Sequence, residues 1–91
     1  MVKHYTDTLN RAIAEFGASN QLDMAIEEMS ELIKEICKSK RGSDNKEKVC
    51  EEIADVYIML EQLKLIYGLS DDDIGEWVKF KVRRLQGLTK E

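Results

Sequence analysis

The sequence predicts an all-α fold, a four-helix bundle. Three observations carry this. Proline is absent from 91 residues, aromatic residues make up only 7%, and 35% of residues are charged. That composition favours helices, which tolerate long charged side chains, over sheets, which want β-branched and aromatic ones. Apolar residues also recur at helical spacing in four long segments.

The first segment runs from Val2 to Phe16, with Tyr5, Leu9, Ala12, Ile13 and Phe16 as its apolar stripe. Gly17 is its natural stop, and Ser19-Asn20 a natural restart. The second helix is expected from Leu22 to Lys38, with a stripe of Leu22, Ala25, Ile26, Met29, Leu32, Ile33 and Ile36. The run KSKRGSDNK then breaks the pattern through Gly42, Ser43, Asp44 and Asn45. The third helix spans Lys46 to Tyr67, and Gly68 is placed to cap it. Ser70 and Asp73 form a capping box for a fourth helix, Asp71 to Leu88. With no internal repeat and this length, residues 1–91 read as one domain. A core of that size is modest, and association of several copies would help it.

The third helix carries apolar residues on two sides. Ala54, Ile58 and Leu65 make a stripe nearly opposite Val49, Val56 and Leu60. A helix apolar on two sides has partners on both, so this second stripe is expected to lie between subunits of a homodimer or homotetramer.

Composition excludes several classes. A net charge of −4 does not suit a general nucleic-acid or membrane surface. The opening MVKHYTDTLNRAIAEF is polar and reads as no secretion signal. No apolar run approaches the roughly 20 residues that span a bilayer. Cys37 and Cys50 have no zinc-type spacing. They read as buried free thiols in a reducing cytoplasm, with a disulfide between them as the alternative.

The chemistry-bearing pattern is acidic. Glu28 and Glu31 lie in EEMSE, and Glu52 and Asp55 in EEIAD. Each pair has i, i+3 spacing, which places both side chains on one face of a helix. At about 100° per residue, all four border the apolar stripes, while Glu27 and Glu51 point to solvent. A carboxylate at a core edge is costly unless paired or metal-bound. Four of them on adjacent helices would suit a hard divalent cation such as Mg²⁺. The competing reading is two solvated faces with pairs such as Glu31–Lys34 or Glu35–Lys38. A di-iron site wants Glu-x-x-His on two helices, and the one histidine, His4, lies outside both motifs. The run Asp71-Asp72-Asp73 lacks the glycine of a calcium loop and reads as a helix start. Trp77 and Phe80 read as core or interface residues.

EExxE, a spacer and ExxD together resemble the motif of the MazG-like all-α nucleoside triphosphate pyrophosphohydrolases. NQLDMAIEEMSELIKEICK and EEIADVYIMLEQLKLIYG extend the likeness to short phage and bacterial members, over about Asn20 to Leu85. The resemblance implies Mg²⁺, or Mn²⁺, held by Glu28, Glu31, Glu52 and Asp55, with Glu31 as general base. It implies cleavage of a (deoxy)nucleoside triphosphate to monophosphate and pyrophosphate. It also implies phosphate contacts from the KFKVRRL segment, where Lys81 and Arg84 match best. Tyr5, Phe16 and Trp77 are candidates for contact with the nucleobase, where the family often uses aromatics. A reading from another class is a non-catalytic helical interaction module that uses the apolar third helix, or a regulator that binds metal or nucleotide without turnover.

Overall fold

The structure, a computed structural model, describes residues 2–90. The assignment of residues 1–91 to one domain reaches one residue beyond that span at either end. Every regular element among the described residues is helical, as the sequence predicts. A short 3₁₀ turn, Lys3–Tyr5, leads into α1 (Thr6–Phe16), α2 (Ala18–Lys40), α3 (Lys46–Tyr67) and α4 (Asp71–Thr89). None of these helices is long and apolar enough to cross a membrane.

The break between α1 and α2 is a single residue. Gly17 takes φ 91°, a conformation that L side chains rarely adopt, and its N–H donates to Ile13 O at 2.9 Å. The restart expected at Ser19-Asn20 is therefore not used, and α2 begins at Ala18. Asn20 instead donates its side-chain N–H to Phe16 O at 2.8 Å, satisfying a carbonyl at the end of α1. Gly68 closes α3 in the left-handed region, at φ 67°. Both bonds of the predicted capping box are present: Asp73 N–H donates to Ser70 Oγ at 3.0 Å, and Ser70 N–H to Asp73 Oδ2 at 2.9 Å.

The main pairing is α2 against α3, antiparallel, with α1 packed on both. Its seam is visible in the buried positions. Gln21, Ala25 and Glu35 are buried on α2, and Glu52, Met59 and Gln62 on α3. With half-buried Glu28 and Leu32, the α2 positions step by 4, 3, 4 and 3 residues, the rhythm of a coiled-coil seam. Much of that seam is polar.

The apolar stripe predicted for α2 is only in part the face turned to α3: Ala25 and Leu32 lie on the seam, and the three isoleucines do not. Ile26 is 66% exposed, Ile33 61% and Ile36 46%. The second stripe of α3 is covered in part within the chain: Ile58 lines a small apolar cavity with Val2, Tyr5, Thr8 and Leu9 from the N-terminal segment and α1. Leu65 is half-buried and Ala54 exposed. Cys37 and Cys50 are free, as expected, but exposed. They stand off the seam, whose buried members at that end are Glu35 and Glu52. Trp77 and Phe80 likewise lie outside the core of this chain, touching edge to face at 6.1 Å on the exposed surface of α4.

Helix α4 is attached through its first turns. Asp71 pairs with Lys64 on α3 and with Lys3 at the N-terminus. Leu60, Leu63, Leu69, Ile74 and Val78 form an apolar groove beside that junction. These two ammonium groups, Lys3 first, hold the Asp71 carboxyl at a pKa of about 2. Beyond Val78 the helix runs on with both polar and apolar residues exposed.

Candidate metal centre

Midway along the α2–α3 seam, the two acidic motifs meet. Glu28 on α2 and Glu52 and Asp55 on α3 each offer a carboxylate oxygen, all within 4.8 Å of one another. The helical periods explain the meeting. Glu28 falls on the same face as Ala25 and Leu32, and Glu52 lies two turns before Met59 on the buried face of α3. Antiparallel pairing then sets the motifs opposite each other. Glu27 and Glu51 point to solvent, as expected from their place on the wheel.

The electrostatics of the cluster are those of crowded like charges. Burial pushes the Glu28 carboxyl above its ordinary pKa, and Asp55 and Glu52 push it further in the same direction. Glu52 is 4% exposed. Its Oε1 meets Lys48 Nζ at 3.2 Å, while its Oε2 is buried with no hydrogen-bond partner. Among the described residues, neither Glu28 nor Asp55 forms an ion pair. An unpartnered buried carboxylate oxygen is expensive. That oxygen, with the half-buried carboxylates of Glu28 and Asp55 beside it, fits a hard cation with oxygen ligands.

Glu31, the fourth acid of the motifs, is half-buried and lies outside this group of three. Lys81 and Arg84 are exposed on the distal part of α4. The cluster itself is built from α2 and α3 alone, so these cations are not part of it. Tyr5, Phe16 and Trp77 are all exposed, and none belongs to the cluster.

Two neighbours of the cluster do not stand out in the sequence. Glu35, which reads there as an ordinary surface partner of Lys38, is 3% exposed. Asn45 donates its amide N–H groups to Glu35 O and Glu35 Oε1, each at 2.9 Å, and Lys38 lies 3.3 Å from Oε2. These contacts, the Asn45 bond first, hold the Glu35 carboxyl below its usual range. Asn45 gives α3 no side-chain cap, and its amide N–H groups tie the loop back to α2. Lys48 is the second neighbour. The seven-residue spacing of Gln21, Glu28 and Glu35 is the signal that would have placed Glu35 on the seam.

No protein-family model matches this chain, and neither the curated proteins nor the solved structures contain a match to it.

Proposed function

We propose that this chain is a Mg²⁺-dependent nucleoside triphosphate pyrophosphohydrolase of the MazG-like kind, acting in the cytoplasm as a homodimer or homotetramer. The observation that carries the reading is the convergence of Glu28, Glu52 and Asp55 from two separate motifs, with one buried Glu52 oxygen left unpartnered. These three would hold Mg²⁺ or Mn²⁺, with Glu31 close by in sequence as the fourth acid. The cation would offset the negative charge of a triphosphate and activate water between the α and β phosphates. The chain's own residues do the remaining work. The α2–α3 seam fixes the carboxylates in place, and Glu31 is the group assigned to accept a proton from water. Lys81 and Arg84 are assigned to phosphate contact, which requires α4 to approach a cluster, its own or that of another subunit.

The test is a panel of ribo- and deoxyribonucleoside triphosphates incubated with protein and Mg²⁺, with products resolved by phosphorus NMR. Monophosphate plus pyrophosphate is the expected outcome. Diphosphate plus orthophosphate, or no turnover at all, would sink the reading. Glu52→Gln is expected to abolish turnover and to reduce the gain in Tm from millimolar Mg²⁺, leaving helicity intact. Glu27→Gln is expected to do neither.

The exposed apolar face of α2 favours one other reading, a helical interaction module without catalysis. In that case the protein would bind no triphosphate, and Glu52→Gln would behave like Glu27→Gln.

A further inference from the structure

Lys48 stands one turn before Glu52 on α3, at i, i+4. Its ammonium lies 3.2 Å from Glu52 Oε1 and 3.4 Å from Glu51 Oε1. The two acids differ sharply: the Glu52 side chain is 6% exposed and the Glu51 side chain 64%. Lys48 itself is about half exposed. One oxygen of the most buried acid in the cluster is therefore held by a cation that reaches in from solvent on a flexible stem, and the other oxygen has no partner.

We propose that Lys48 is a resident counter-ion of the acid cluster, which holds Glu52 when no divalent cation is bound and must release it when one enters. The inference rests on the metal reading given above. A hard divalent cation takes its carboxylate oxygens at close range, about 2.0–2.6 Å for Mg²⁺ or Ca²⁺. An ammonium on the same carboxylate repels it and competes for the lone pairs. Release is structurally simple. Lysine is a point charge on a four-carbon stem with three rotatable donors, and Glu51 already lies within reach as the exposed place to which it retires. No backbone movement is needed. Lys48 thus lowers the metal affinity of the cluster while offsetting its self-repulsion in the metal-free protein, and the two effects have opposite signs in stability.

The experiment is isothermal titration of the full chain with MnCl₂, without nucleotide, for wild type, Lys48→Met, Lys48→Ala and Lys48→Arg, with far-UV circular dichroism to verify folding. Lys48→Met and Lys48→Ala are expected to bind Mn²⁺ about three- to tenfold more tightly, the range for a partly buried ion pair released on binding. Lys48→Arg keeps the charge and should stay near wild type. In thermal melts, Lys48→Met should fall below wild type without metal and reach or pass it with saturating Mn²⁺. A purely structural role for Lys48 would lower both melts equally and would overturn the proposal. So would unchanged or weaker Mn²⁺ binding by the variants that lack the charge. If wild type binds Mn²⁺ and Lys48→Met binds it no better, this inference alone fails. If wild type binds no Mn²⁺ at millimolar concentration, the metal reading beneath it fails as well.

Discussion

Replacing Ile33 by Asp tests whether the bare face of α2 is an interface between copies of this chain. Ile26, Ile33 and Ile36 lie along that face and are 66%, 61% and 46% exposed. Full burial of such a side chain stabilises by about 1.5–3 kcal/mol. Some three-fifths of Ile33 remains to be covered, which leaves about 1–2 kcal/mol for association. In a two-fold dimer each residue appears twice, so losing Ile33 costs about 2–4 kcal/mol per dimer, a factor of roughly 30 to 1,000 in Kd. The aspartate adds the desolvation cost of an unpaired charge, so the real loss is larger. The single chain itself should be little affected, because Ile33 supports none of its seam. The assay is sedimentation velocity over the micromolar range, with circular dichroism as a control for folding. Wild type is expected at two or four times the 10.5 kDa of one chain, and Ile33→Asp at 10.5 kDa with its helicity retained. A wild-type monomer at high micromolar concentration would refute the reasoning, as would a variant that associates like wild type.

Two further outcomes follow from the carboxyl groups. The Glu28 pKa is raised above 4.5 in the folded protein, so the fold binds that proton more tightly than the unfolded chain does. Its stabilising contribution is present at low pH and is lost as pH rises from 4.5 through the raised value. Glu28→Gln should therefore gain in Tm relative to wild type as pH rises through that window, and Mg²⁺ should close the gap; a difference independent of pH would contradict this. Glu35 behaves in the opposite sense, since its pKa is lowered chiefly by Asn45. Asn45→Ala should lower Tm by about 4–8 °C at neutral pH, and the deficit should shrink as pH falls below 4.5, where the Glu35 carboxylate is protonated in the unfolded chain and then in the fold. A deficit that persists unchanged into acid would show that Asn45 acts on the loop without Glu35.

The helices themselves were legible from the sequence because their signals are local. Ser70 with Asp73, and Gly68 after Tyr67, are short-range devices whose geometry follows from backbone chemistry, and the limits of α3 agree residue for residue. The meeting of Glu28 with Glu52 and Asp55 was legible for a related reason, since i, i+3 spacing and antiparallel pairing leave few other arrangements. The choice of face was harder to read. The most apolar stripe of α2 looked like its inner side, yet the seam takes only Ala25 and Leu32 from it and otherwise runs through Gln21, Glu28 and Glu35. Hydrophobicity measures how much a surface prefers to be covered and does not say by what, and in a chain this short the cover can come from outside. The seven-residue spacing reaches as far as placing Glu35 on the seam, but the contacts of Glu35 with Asn45 and of Lys48 with Glu52 run across a loop and along a helix flank, where periodicity carries no information. For Cys37 and Cys50, the usual burial of free thiols misled because both stand off the seam.

Gly17 has a wider consequence. Its left-handed torsion alone separates α1 from α2, with no loop between them. Nothing lies within 4 Å of where a Cβ would stand, so space does not decide the outcome there; backbone conformation does. A residue that prefers the right-handed region would favour one continuous rod from Thr6 to Lys40, about 50 Å long at 1.5 Å per residue. Such a rod would carry Leu9 away from Ile58 and uncover that side of α3. Whether this chain folds back on itself or extends to offer its first helix to a neighbour is thus set by the two backbone torsions of a single residue, φ 91° and ψ 142°.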